Sequence, residues 1–247
     1  MRFAVATLAI VALAATAVHM SAKKGDVAGL SRAENAKLRA VKKLQPLLDD
    51  KKLTLGSEIF MRIFKESKEL EVWLKDGKSK SFKLLTSYKI CAYSGELGPK
   101  QKEGDLQAPE GFYFVTRGSM NPRSQFHLSF DLGYPNAYDR AHKRTGTHLM
   151  VHGNCVSIGC YAMTDRRIEE IYTLADAALA NGQKFFRVHC FPFRMTKERM
   201  AKAAQSKSPW LPFWENLKEG YDLFERERIP PDASVEGKRY KLVSENR

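Results

Sequence analysis

At 247 residues with 43% hydrophobic and 28% charged side chains, the chain is long and apolar enough to bury one substantial core. That excludes a disordered or low-complexity protein. The formal net charge of +13 predicts an anionic partner, for which nucleic acid, a membrane surface and cell-wall polymer compete. No basic–aromatic RNA motif, zinc-finger spacing or basic zipper is visible, so no nucleic acid is expected. Four cysteines (Cys91, Cys155, Cys160, Cys190) are too few for a disulfide scaffold at this length. In an oxidising compartment, Cys91–Cys190 and Cys155–Cys160 are the candidate pairings, and spacing does not choose between them.

In chain order, a basic Met1-Arg2 precedes an apolar run over residues 3–18 with an Ala15-Thr16-Ala17 cleavage pattern. Residues 1–22 therefore read as a secretory signal peptide or an uncleaved anchor, placing the rest outside the cytoplasm, in the periplasm or cell envelope. Residues 23–54 read as a leader and an amphipathic helix. Ser31 and Glu34 fit a capping box, and Leu38, Val41, Leu44, Leu47 and Leu48 recur at helical spacing over 31–48, with a break expected near Pro46.

From residue 58 the period changes. Alternation over 58–64 and 69–74, an Asp76-Gly77 turn, and strands over 81–88 and 90–93 predict an antiparallel sheet. A glycine- and proline-punctuated loop spans 95–111, where Lys100 is a candidate contact for a peptide carboxylate. Strands over 111–116 and 126–130 follow, then a turn at 134–139 and a basic stretch at 141–145. His127 and His142 are candidate contacts whose bland reading is structural. A helix begins at Thr164 or Asp165 with Ile168, Ile171, Leu174, Ala175, Ala178 and Leu179 inward, and ends at Asn181-Gly182. A strand over 184–191 precedes helices over 196–206 and 210–228, whose aromatics read as packing, and a polar tail. The expected fold is mainly β with flanking helices, the β domain spanning 55–195 and a helical extension 196–247.

The chemistry concentrates at residues 147–163. The apolar Leu149-Met150-Val151 ends at His152-Gly153, and Ser157-Ile158-Gly159-Cys160 follows after a short polar loop. A strand delivering an imidazole and a glycine turn delivering a thiol are the parts of nucleophilic cysteine catalysis. The ligand set His152, Cys155, Cys160, His189 and Cys190 lacks the paired spacing of a zinc site, so no metal or other cofactor is expected.

His152-Gly153 and Ser157-Ile158-Gly159-Cys160 resemble the signature of the L,D-transpeptidase (YkuD-like) catalytic domain family, with an upstream His-Gly and then Ser-His-Gly-Cys. The resemblance implies a β-sandwich or barrel catalytic domain flanked by helices. It makes Cys160 the nucleophile, His152 its proton donor and acceptor, the Gly153 carbonyl the group orienting the imidazole, and the Gly159 amide part of an oxyanion hole. Asn154, Ser157, Lys100 and Tyr138 are assigned to substrate. Ile158 stands where the family has histidine and Ala162 where it often has arginine, features similar to the YafK-like branch. The implied partner is the peptidoglycan stem peptide, with cross-linking, or attachment or release of a wall-linked lipoprotein, as outcomes. A non-catalytic wall-binding module is the alternative.

Overall fold

The capping box predicted at Ser31 starts helix α1 (Arg32–Lys51): Ser31 Oγ accepts from the Glu34 amide at 3.3 Å, and Glu34 Oε2 accepts from the Ser31 amide at 2.7 Å. The computed structural model describes residues 26–244, so the signal-peptide reading lies outside the described residues. The expected break at Pro46 does not occur. Pro46 is exposed, so the carbonyl it leaves without a donor faces water, while Leu44 and Leu48 stay buried on the opposite face.

The β elements are β1 (Ile59–Phe64), β2 (Glu69–Lys75), β3 (Phe82–Lys89), β4 (Gly111–Thr116), β5 (Met120–Asn121), β6 (Ser129–Asp131), β7 (Met150–His152), β8 (Tyr161–Ala162), β9 (Phe185–Phe191), β10 (Asp232–Glu236) and β11 (Arg239–Val243). Helices α2 (Ala137–Ala141), α3 (Asp165–Ala180), α4 (Lys197–Gln205) and α5 (Leu211–Glu227) complete the chain. One sheet has the order β3-β2-β1-β9-β4, a second β5-β6-β7-β8, and β10-β11 form a hairpin where a plain polar tail was expected. The sheets are mixed rather than antiparallel, because β1 pairs parallel with β9 and β7 parallel with β8. Residues 90–93, expected as a strand, contribute only the bridge Ala92–Ala162. The strand expected over 126–130 begins at Ser129, since His127 takes a left-handed φ of 72°.

Both sheets share one core, to which α1 and α3 contribute Ala40, Leu44, Ile168 and Ile171. All six residues of β1 are buried because both its faces are covered, which is why period-2 alternation mis-described it. Met61 and Ile63 face the shared core, while Phe64 joins the aromatic cluster under α4 and α5. Arg62 is buried with them, held by Glu71 at 2.7 Å and Glu225 at 2.6 Å, with its guanidinium 4.7 Å from the Phe224 ring centre. Helix α1 is fastened to α3 by Arg39 and Glu169 at 2.7 Å. Burial alone would raise the Glu169 carboxyl, but hydrogen bonds from His127 and Arg39 outweigh it and hold it at about 2.

One buried ion pair shapes the loop over residues 95–110. Lys65, which follows β1, donates through Nζ to the carbonyls of Glu96 (2.7 Å), Gly98 (2.8 Å) and Ala108 (3.1 Å) and to Glu110 Oε1 (3.1 Å). Glu110 also accepts from the Gly98 amide at 2.7 Å and from Trp214 Nε1 on α5 at 2.9 Å. Both side chains are fully buried. Lys65→Met is therefore expected to cost about 3–5 kcal/mol in chemical denaturation, since it strands a carboxylate without its counter-charge. The same variant should speed proteolysis within 95–110.

Candidate active site

Strand register brings the thiol and the imidazole to one face. Val151 pairs with Tyr161 and His152 with Ala162 across β7 and β8, and Val151 and Tyr161 are both fully buried in the core. Alternation then turns Met150 and His152 to the opposite side, together with Cys160, one residue ahead of β8. The Met150 amide donates to Cys160 Sγ at 3.4 Å, and the thiol donates to the His148 carbonyl at 3.6 Å. Cys160 and His152 open into one cavity of about 540 Å³. Its walls are largely apolar, from Leu106, Phe126, Leu149, Val156 and Ile158, with Lys100 and Glu103 on the loop shaped by Lys65. No hydrogen bond joins the thiol to His152 at rest; its two partners are main-chain groups of the segment leading into β7.

His152 is held from two sides. Its Nδ1–H donates to the Gly153 carbonyl at 2.6 Å, which fixes the tautomer and leaves the Nε2 lone pair as acceptor. Phe126 covers the ring, the centroids 4.6 Å apart. Residue 153 must be glycine: a Cβ there would come within 2.8 Å of both Asp165 Oδ1 and the Phe126 carbonyl. The Gly153 amide donates to the carbonyls of Phe126 (3.0 Å) and Leu128 (3.2 Å), so the same residue ties the imidazole to the segment that shields it.

The surroundings of both groups favour their neutral forms. Burial pushes the Cys160 thiol up; the Met150 amide acts against this and Asp131 adds to it. Burial likewise pushes His152 down, although its bond to Gly153 opposes the shift. Desolvation in an apolar-walled cavity is thus the largest influence on the thiol, and it acts against the thiolate. Cys160 does not lead straight into a helix. Strand β8 intervenes, and the N-terminus of α3 instead meets the loop after His152, where Asp165 Oδ1 accepts from the Asn154 amide at 2.9 Å.

Other predicted residues fall into two groups. Ser157 and Gly159 line the cavity, where Ser157 Oγ donates to the Cys160 carbonyl at 2.7 Å and accepts from the Gly159 amide at 3.2 Å. The Gly159 amide is therefore already engaged, and holding an oxyanion there requires displacing Ser157. Gly159 has φ of +137°, a conformation that favours glycine. Lys100 lines the cavity, but its ammonium is committed to Asp105 at 2.5 Å and the Lys102 carbonyl at 2.9 Å rather than to a free carboxylate. Asn154 is exposed outside the cavity wall. Tyr138 does not belong to the site: it is buried between Tyr240 and His142, with ring centres 4.3 Å from each. His127 is structural, bonded to Glu169 at 2.8 Å.

Neither expected disulfide forms. Cys91 pairs with Cys155, their Cα atoms 5.3 Å apart, leaving Cys160 free and Cys190 buried. The metal-ligand set is dispersed by the same arrangement, because Cys155 is cross-linked and His189 and Cys190 lie in the core on β9. Sequence reasoning missed Phe126 as the cover of the base and the Met150 and His148 main chain as the partners of the thiol. Both depend on strand pairing between distant segments, for which the sequence carries no local signal.

Residues 61–189 match the family model described as YkuD, L,D-transpeptidase catalytic domain. The chain is 48% identical over 190 residues to the Escherichia coli (strain K12) protein named "Putative L,D-transpeptidase YafK", covering 77% of this chain and 76% of that relative. Two solved structures are also similar. The helical cell shape determining protein Pgp2 from Campylobacter jejuni has a TM-score of 0.44 at 18% identity, over 85% of this chain and 91% of that one. Bd1075 from Bdellovibrio bacteriovorus has a TM-score of 0.38 at 22% identity, over 68% and 60%. With the His152-Gly153 and Ser157-Ile158-Gly159-Cys160 elements on one cavity, this chain belongs to the YkuD family of L,D-transpeptidase catalytic domains.

Proposed function

We propose that this protein is an exported cysteine acyltransferase of the cell envelope that acts on peptidoglycan stem peptides through a thioester. The observation that carries the reading is the shared cavity of Cys160 and His152, with Nδ1 of the imidazole committed to Gly153 and Nε2 left to accept a proton. Cys160 Sγ attacks the carbonyl carbon of a stem-peptide amide while its proton passes to His152 Nε2. Burial disfavours the charged form of both groups, which suits a transfer that accompanies attack. His152 then gives the proton to the departing amine, leaving the acyl group on sulfur. An amine of a second stem resolves the thioester to a cross-link, or the amine of a wall-linked lipoprotein resolves it to an attachment. The net charge of +13 suits an anionic wall polymer.

Hydrolysis is the second reading, and one feature favours it. Ile158, at the position of the family's histidine, is 80% exposed on the cavity rim, so this rim offers an incoming amine no polar side chain at that point. Water then resolves the thioester, which releases peptide or wall-linked lipoprotein. Incubation of purified sacculi with the protein, followed by mass spectrometry of the muropeptides, separates the outcomes. New dimers mean transfer, while shortened stems or released peptide mean hydrolysis. Unchanged muropeptides with retained wall binding would leave only a binding module.

A further inference from the structure

The cross-link between Cys91 and Cys155 lies within the catalytic stretch, between the imidazole and the thiol in sequence. Residue 155 belongs to the seven-residue segment 153–159, which must hold both groups on one face. Asn154 and Cys155 are consecutive non-glycine residues in the left-handed region, with φ of 65° and 48°. L side chains adopt that conformation uncommonly, and cysteine less readily than asparagine. The other side of the cross-link is well anchored. Cys91 and Ala92 donate their amides to the Ala162 carbonyl at 2.9 and 3.1 Å, and Ala162 returns its amide to Ala92 at 2.8 Å. Ala162 is the β8 partner of His152, and the next residue, Met163, donates to the His152 carbonyl at 2.6 Å. The disulfide therefore joins the loop to the same backbone that registers the base. Cys155 is exposed, so a soluble thiol can reach it, whereas Cys190 is fully buried.

We propose that Cys91 and Cys155 are positioning residues of this centre, and that turnover follows the oxidation state of their one bond. The proposal rests on the cysteine-acyltransferase reading above. Reductants usually preserve or raise the activity of a thiol enzyme, because they keep its nucleophile from oxidising. Here they act in the opposite direction. A dithiol such as dithiothreitol attacks Cys155 Sγ, breaking the S–S bond and expelling Cys91 as a thiolate that takes up a proton. The second thiol of the reagent then closes its ring and releases Cys155 as a thiol. Two electrons and two protons pass from dithiol to protein, and segment 153–159 loses its covalent tie to residue 91, keeping hydrogen bonds such as that of the Cys155 amide to the Met163 carbonyl at 3.2 Å; Cys160 then loses its set position relative to His152.

The test uses the full chain, purified oxidised and then treated with dithiothreitol. Maleimide labelling after denaturation should rise from two thiols, Cys160 and Cys190, to four. On soluble muropeptides the reduced form is expected to lose about 10- to 100-fold in kcat, the scale of a misplaced reacting group. KM should stay within about twofold. Far-UV circular dichroism should be unchanged, and reoxidation with oxidised glutathione should restore the rate. The double variant Cys91→Ser/Cys155→Ser should start at the reduced rate and ignore reductant.

The alkylation rate of Cys160 by iodoacetamide, read by mass spectrometry, reports its surroundings without any turnover and should change on reduction. A reduced enzyme that is equally or more active overturns the proposal, and so does loss of rate only with loss of folded signal. If the oxidised protein turns over nothing, the acyltransferase reading fails. The alkylation comparison then decides the positioning role on its own, an unchanged rate refuting it.

Discussion

Cys160→Ala is expected to remove turnover of muropeptides, lowering kcat by about 10⁴-fold or more, because the acyl intermediate forms on its sulfur. The hydroxyls lining the cavity, those of Ser157 and Thr147, are weaker nucleophiles than a thiol, and Ser157 Oγ is already engaged, donating to the Cys160 carbonyl and accepting from the Gly159 amide. Fold and wall binding should survive the change. The Cys160 side chain is only partly buried, and its loss removes two weak sulfur contacts to main chain. Sedimentation with sacculi and a thermal melt check this beside the kinetics. A variant that binds wall and still turns over would remove the cysteine from the mechanism altogether.

His152→Gln should cost about 10²–10⁴-fold in kcat, the usual weight of a general acid–base group, and should also change the shape of the pH profile. Burial holds the folded imidazole below its ordinary 6.5, so kcat/KM is expected to fall only as pH drops through that lowered value. Burial also raises the thiol, so the alkaline limb should lie above the ordinary thiol range. The result is a broad plateau whose two apparent limits belong to the pair rather than to either residue. In the glutamine variant the acid limb disappears. Stability should follow the same sign: the unfolded chain takes up a proton at 6.5, the folded one only below that. The contribution of the neutral ring is thus complete above 6.5 and lost as pH falls towards the folded value. Denaturant midpoints of wild type and His152→Gln between pH 5 and 8 would measure it.

The helix at Ser31 was legible because its signals are local: Glu34 three residues from its cap and leucines at helical spacing. The candidate imidazole and thiol were legible for a similar reason, since Gly153 and Gly159 beside them are places where the backbone admits no larger side chain without collision or strain. The partners of Cys91 and Lys65 were not. Cys91 meets Cys155 across 64 residues, and Lys65 meets Glu110 across 45, so nothing in either neighbourhood marks the pairing. The parallel pairing of β1 with β9 was missed likewise, because it joins two ends of the domain. Tyr138 was misassigned from its place in a familiar turn; the hairpin that buries it begins almost a hundred residues later.

The salt-and-indole knot at Glu110 bears on how much of the chain makes a working unit. The family match ends at residue 189, yet the indole that caps Glu110 belongs to Trp214, well downstream. At the other end, Arg32 reaches across from α1 to the carbonyls of Ser124 (2.6 Å) and His127 (2.8 Å), the residues bracketing Phe126. A fragment trimmed to residues 61–189 would thus bare a carboxylate under the 95–110 loop and unfasten the shelf above the imidazole. Minimal excised versions of this chain should keep both flanks.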